Sequence, residues 1–150
     1  MEGFAGFPGR VPRVEASQAT DSRDVSLTIP ARPDYLVLAR LALSAVCRLT
    51  PLSPEEVADL KLAITEASNY LMGGERRQAA RAEGNGTGRL TFSFDLGDDA
   101  LRVAVSGEEM PTVSAEEREL SVALIKATVD AYEYADGTMH LTKHLQYGDE

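Results

Sequence analysis

Apolar residues recur along this chain with two different periods. Val25, Leu27 and Ile29 alternate with polar neighbours, the period of a half-buried strand. Pro30 and Pro33 close that run, and Asp34 is placed to cap a helix running to about Leu49. This helix is apolar nearly all round, so it is either sandwiched in the core or lies at a subunit contact. A second helix has a sharper start. Ser53-Pro54-Glu55-Glu56 reads as a capping box: Ser53 at the N-cap, Pro54 in the first turn, Glu56 completing the reciprocal bond. The helix runs to Met72, where Gly73-Gly74 stop it.

Leu90-Phe92-Phe94-Leu96 and Leu101-Val103-Val105 alternate on either side of Gly97-Asp98-Asp99, which predicts a β-hairpin. Ser114-Ala115-Glu116-Glu117 is a second capping box and opens a helix through Leu120, Ala123, Leu124 and Ala127. AYEYADGTMHLTKHL reads as a last hairpin turning at Asp136-Gly137. Residues 1–23 read as a disordered tail, 24–146 as one domain and 147–150 as a C-terminal tail, with 75–88 a polar, flexible connection. The predicted order is β-α-α-β-β-α-β-β, an α+β fold with helices on one face of a sheet.

Charge narrows the partners. The formal net charge is −9, which repels phosphate backbones and anionic membranes and leaves basic protein surfaces as the favoured contacts. The most apolar segment, YLVLARLALSAVCRL, is too short to span a bilayer and is interrupted by Arg40 and Arg48. With no signal-peptide pattern at the start, a cytoplasmic protein is expected. The single cysteine, Cys47, excludes an internal disulfide and a cysteine metal cluster and reads as a small core residue. His140 and His144 on one strand would stand ~13 Å apart, too far to share a metal ion. Arg76, Arg77 and Arg81 beside GNGTG lack the lysine and strand context of a phosphate loop and read as a solvated segment.

The central helix carries the candidate chemistry. Val57, Leu60, Ile64, Ala67 and Leu71 form one stripe at ~100° per residue and should pack on the sheet. Glu66 projects roughly 135° away from that stripe, next to Leu62, Asn69 and Tyr70. By periodicity it is either a solvated acid or part of a site in a shallow cleft near residues 107–114.

VSLTIPARPDYLVLARLALSAVCRL followed by SPEEVADLKLAITEAS resembles the anti-sigma-factor serine kinases, a bacterial branch of the GHKL ATPases. The resemblance runs from about residue 24 to residue 145 in element order and spacing, and VADLKLAITEA is its most specific piece. It implies a two-layer Bergerat-type sandwich, with helices on one face of a mixed, mainly antiparallel sheet and a nucleotide held beside the helices. Such proteins hold a sigma factor away from RNA polymerase and release it on binding an anti-anti-sigma partner of the STAS type. They can phosphorylate a serine of that partner with MgATP, and they commonly pair as homodimers. The family thus implies transcription regulation in stress responses.

In the family a helix glutamate acts as base and an asparagine four residues later binds magnesium. Glu66 matches the glutamate; the asparagine position falls on Tyr70, with Asn69 one residue early as the substitute metal ligand. Gly107 stands at the family's adenine-binding aspartate, Glu109 and Pro111 at two glycines, and Glu119 and Ser121 at two lid glycines. Glycines there admit phosphate close to the backbone, and side chains do not. Glu108, Glu109, Glu116, Glu117 and Glu119 against Arg118 alone make the region acidic, where a polyphosphate needs donors. The expectation is a protein-binding switch with nucleotide binding weak or lost, and ATP and magnesium as cofactors only under the kinase reading. Two alternatives stand beside it: an active MgATP-dependent serine kinase using Glu66, and an unrelated small α+β interaction domain.

Overall fold

The computed structural model describes residues 23–73, 88–108 and 113–147. Strand β1 (Arg23–Pro30) leads through a 3-10 turn (Pro33–Tyr35) into helices α1 (Leu36–Cys47) and α2 (Pro54–Leu71). The hairpin β2 (Arg89–Leu96) and β3 (Ala100–Gly107) follows, then α3 (Ala115–Thr128) and the hairpin β4 (Ala131–Ala135) and β5 (Thr138–His144). The order is the expected one. The sheet runs β1-β2-β3-β5-β4, and all its pairings are antiparallel.

Register sorts the two faces. Leu27, Phe92, Val105, Met139 and Tyr134 lie opposite one another across the strands, as do Val25, Phe94, Val103, Leu141 and Tyr132. Side chains alternate along a strand, so these rows share the face that the helices cover. Their interior members, Phe92, Phe94, Val103, Val105, Met139 and Leu141, are fully buried. The opposite face carries short polar groups such as Thr28 and Thr91, whose hydroxyls lie 3.0 Å apart. An α+β layer with one wet face follows from that alternation.

Both capping boxes form. Ser53 Oγ accepts from the Glu56 N–H at 3.1 Å while Glu56 Oε1 accepts from the Ser53 N–H at 2.9 Å. Ser114 and Glu117 repeat the arrangement at the head of α3. Glu56 also faces Lys143 Nζ at 3.7 Å, and Lys143 reaches Asp130 at 3.8 Å, so the start of α2 is tied to the end of the sheet. Met72 caps α2 and Gly73 turns away at φ 94°, where a side chain would be strained. At the last hairpin Asp136 and Gly137 both have positive φ, 54° and 74°, as a type I′ turn requires.

One expectation is corrected, and two helices take orientations that the sequence pattern left open. Asp34 does not cap α1: it lies inside the 3-10 turn that Pro33 starts, and pairs with Arg32 Nε at 3.6 Å. Helix α1 begins at Leu36 with no side-chain cap and ends at Cys47, short of Leu49. It is also not enclosed within the described chain. Leu36, Ala39, Leu43, Val46 and Cys47 are buried, whereas Val37, Leu38, Leu41 and Leu49 are exposed. In α3 the row through Leu120, Ala123 and Ala127 faces outward, with Leu120 73% exposed, while Ser121 and Ile125 face in. The side that α3 turns inward carries Ser121, which bonds Glu66 of α2, and Ile125. Residues 1–22, 75–87 and 148–150, read as tails and a connection, lie outside the described residues, as do Arg76, Arg77 and Arg81.

The rotation of α3 has a direct check. Ile125→Ala should lower stability by about 2–5 kcal/mol, the range for truncating a fully buried aliphatic side chain. Leu120→Ala should change it by less than about 0.5 kcal/mol. Urea unfolding of both variants measures this, and the reverse ranking would refute the observed orientation.

Candidate functional site

Helix α2 sits between α1 and α3. Its stripe is seated as expected, with Leu60, Ala63, Ile64, Ala67 and Leu71 at 2% exposure or less and Val57 packed at the edge. On one flank Arg40 Nη1 of α1 donates to Thr65 Oγ1 at 3.2 Å. On the other flank lies Glu66.

Glu66 is half-buried, and its Oε2 accepts a 2.7 Å hydrogen bond from Ser121 Oγ of α3. The Ser121 side of α3 lies on the glutamate, so Glu66 faces the α2–α3 seam. Tyr70, one turn on, is buried and meets Tyr134 of β4 edge-on, with ring centroids 6.0 Å apart and planes at 86°. Tyr132 joins them. Burial first, then Tyr70 and Tyr134, push its hydroxyl up, while Arg118 of α3 pulls the other way. Burial and Tyr70 likewise push Tyr134 up. The face of α2 that carries Glu66 and Tyr70 is thus covered by α3 and the edge strand.

The other expected residues are dispersed around this seam. Asn69 is half-exposed beside Tyr70. Gly107 ends β3 opposite Leu90, with Leu71 of α2 close enough that a side chain there would touch both residues. Glu108 follows it, its N–H donating to the Arg89 carbonyl at 3.3 Å. Glu109 and Pro111 lie outside the described residues. Glu116, Glu117 and Glu119 are exposed on the first turns of α3, with Glu117 engaged in the capping box. The residue that sequence reasoning missed as a partner is Ser121. It stands 55 positions from Glu66, and no spacing signal connects them.

A magnesium nucleotide would need hard oxygen ligands in near-octahedral array and room for phosphates. At the two matched helix positions the chain offers a carboxylate already bonded to Ser121 and a phenol turned into an aromatic cluster. Gly107 supplies no side-chain acceptor. His140 pairs across the sheet with Ala104 and Glu133, and His144 lies against Asp130. Among the described residues no group of three or more His, Cys, Asp or Glu is placed to hold a metal ion, and no helix is long and apolar enough to cross a membrane.

Residues 29–143 match the family model described as the histidine kinase-like ATPase domain. The chain is 33% identical over 88 residues to the serine-protein kinase RsbW of Listeria innocua serovar 6a, covering 59% of this chain and 52% of that protein. It is 27% identical over 107 residues to the protein of that name from Bacillus licheniformis, covering 71% and 63%. With the Bacillus subtilis protein the match is 30% over 84 residues, covering 56% and 49%. The chain spans about half the length of the curated relatives it matches.

The contact between Glu66 and Ser121 is measurable by a double-mutant cycle. Glu66→Ala and Ser121→Ala, alone and together, should give a coupling of about 1 kcal/mol in urea unfolding, the net worth of a partly exposed hydrogen bond to a charged group. Additive effects within about 0.3 kcal/mol would show that the two side chains do not interact in solution.

Proposed function

The chain belongs to the histidine kinase-like ATPase domain family, and from that membership we propose that it acts as an anti-sigma-type protein-binding switch. In this reading it sequesters a sigma factor and exchanges it for a STAS-type anti-anti-sigma partner, and its nucleotide binding is weak or lost. The similarity to serine-protein kinases named RsbW supports the regulatory role. One observation supports the loss of nucleotide: the matched glutamate, Glu66, holds Ser121, while Tyr70 packs on Tyr134. A nucleotide entering this seam would have to break the 2.7 Å bond, displace α3 and settle beside Glu116, Glu117 and Glu119. Each of those steps opposes binding. Net charge −9 fits a protein partner with a basic surface rather than nucleic acid.

The second reading is an active MgATP-dependent serine kinase. It is favoured by Glu66 at the matched position of the correct helix and by the name the relatives carry. Asn69 would then serve as metal ligand after a rearrangement of the α2–α3 seam. Calorimetric titration with MgATP separates the two. The switch reading expects a Kd of about 1 mM or weaker, near −4 kcal/mol. Micromolar binding would overturn it in favour of the kinase.

The bare side of α1 supports self-association. Val37, Leu38 and Leu41 of α1 are 47%, 43% and 60% exposed, Leu49 just beyond its end is 58% exposed, and β1 is an open sheet edge. An exposed apolar patch is a common sign of an interface. Light scattering across micromolar concentrations should give a mass near twice 16.2 kDa, and Leu41→Glu should return it to the single-chain value. A constant mass near 16.2 kDa for the unaltered chain would refute the homodimer.

A further inference from the structure

The junction of α1 and α2 forms a concavity that the Glu66 seam does not use. It is a cleft of about 470 Å³, with Cys47, Leu52, Val57 and Ala58 as apolar walls and Arg48 and Lys61 as its charged members. Among the described residues no carboxylate lines it. That is unexpected for a chain with 24 acidic against 15 basic residues, where cations ordinarily find acidic neighbours. The ion pairs among the described residues involve Arg32, Lys143 and His144, and leave Arg48 and Lys61 out.

The walls are held in place. Thr50 Oγ1 donates to the Cys47 carbonyl at 2.7 Å and accepts from the Leu52 N–H at 3.2 Å. The Arg48, Leu49 and Thr50 N–H groups donate back to Ser44, Val46 and Cys47 carbonyls. Pro54, at the start of α2, also borders the cleft, so the positive end of that helix adds to the field of the two cations. A preformed wall reduces the ordering cost of binding. The volume falls inside the range of roughly 300–1,000 Å³ usual for small-molecule sites, and the cleft is open to solvent, with Ser44, Arg48, Thr50 and Lys61 as polar groups among its apolar walls.

We propose that this cleft binds a small amphipathic acid, its carboxylate or phosphate head held by Lys61 and Arg48 and its short apolar body laid along Leu52, Val57 and Ala58. The site is independent of Glu66 and of the nucleotide question. Cys47 serves as wall and not as reactant: burial pushes its thiol up to about 11, with Lys61 pulling the other way, so it stays protonated and inert at neutral pH.

Titration of the full chain followed by amide NMR shifts tests this with three probes: octanoate, octyl phosphate and uncharged octanol. The expected result is saturable shifts concentrated at residues 44–61 with a Kd below about 1 mM for at least one acid, and at least tenfold weaker binding of octanol. Whichever acid binds tighter identifies the head group. The double variant Arg48→Gln with Lys61→Gln, and separately Ala58→Phe, which narrows the cleft, should each weaken the acid at least tenfold while the spectrum remains that of the folded chain. Three results would overturn the proposal: no saturation by either acid up to about 10 mM, octanol binding as tightly as the acids, or shifts centred on Val37 and Leu41 instead.

Discussion

Seating α2 on the apolar face of the sheet is the constraint from which the other contacts follow. Ala63 and Ala67 alternate with Leu60 and Ile64 on the inward side, and all are at 1% exposure or less. The two alanines let the helix lie close to the strands, and the larger side chains fill the space around them. Once it lies there its remaining sides are committed: Thr65 to α1 through Arg40, Glu66 to α3 through Ser121, Glu56 to β5 through Lys143. The helix that organises the domain is therefore also the helix that carries the candidate chemistry.

That double role explains the character of the Glu66 site. A carboxylate used as a base needs an approach for the hydroxyl it is to deprotonate and space for what receives that hydroxyl. Here the approaching hydroxyl is the chain's own Ser121, delivered by a helix that a capping box at Ser114 starts two turns earlier. Tyr70 completes the closure on the sheet side by packing against Tyr134. The arrangement joins α2, α3 and β4 by packing and hydrogen bonding. Two surfaces are available on α1, an apolar ridge along its outer side and a basic cleft at its end.

Much of the fold was legible residue by residue. Alternation at Val25-Leu27-Ile29 and at Phe92-Phe94 reports strands because a two-residue period places one side of the chain in the core. Ser53 with Glu56 and Ser114 with Glu117 mark helix starts because the reciprocal bonds are local. The exceptions have separate causes. Asp34 has the chemistry of a cap, but Pro33 begins a tighter turn in front of it. Leu120 looks like core, but α3 has little apolar content to enforce its own orientation, so its neighbours choose Ser121 and Ile125.

For the site, sequence alone located Glu66 on the outward flank of α2 and placed Tyr70 and Ser121 at positions where the resembling family has other residues. What covers that flank was decided only by the tertiary structure. Periodicity gives the direction of a side chain from its own helix axis and carries nothing about what stands opposite. The partner of Glu66 comes from an element 55 residues away, set there by the antiparallel sheet and the docking of α3. The same holds for α1. Its all-round apolar pattern was compatible with burial or with an interface, and only the position of α2 and the sheet leaves Val37, Leu38 and Leu41 outside. Local bonds are written in neighbouring residues; contacts between elements depend on every packing choice made between them.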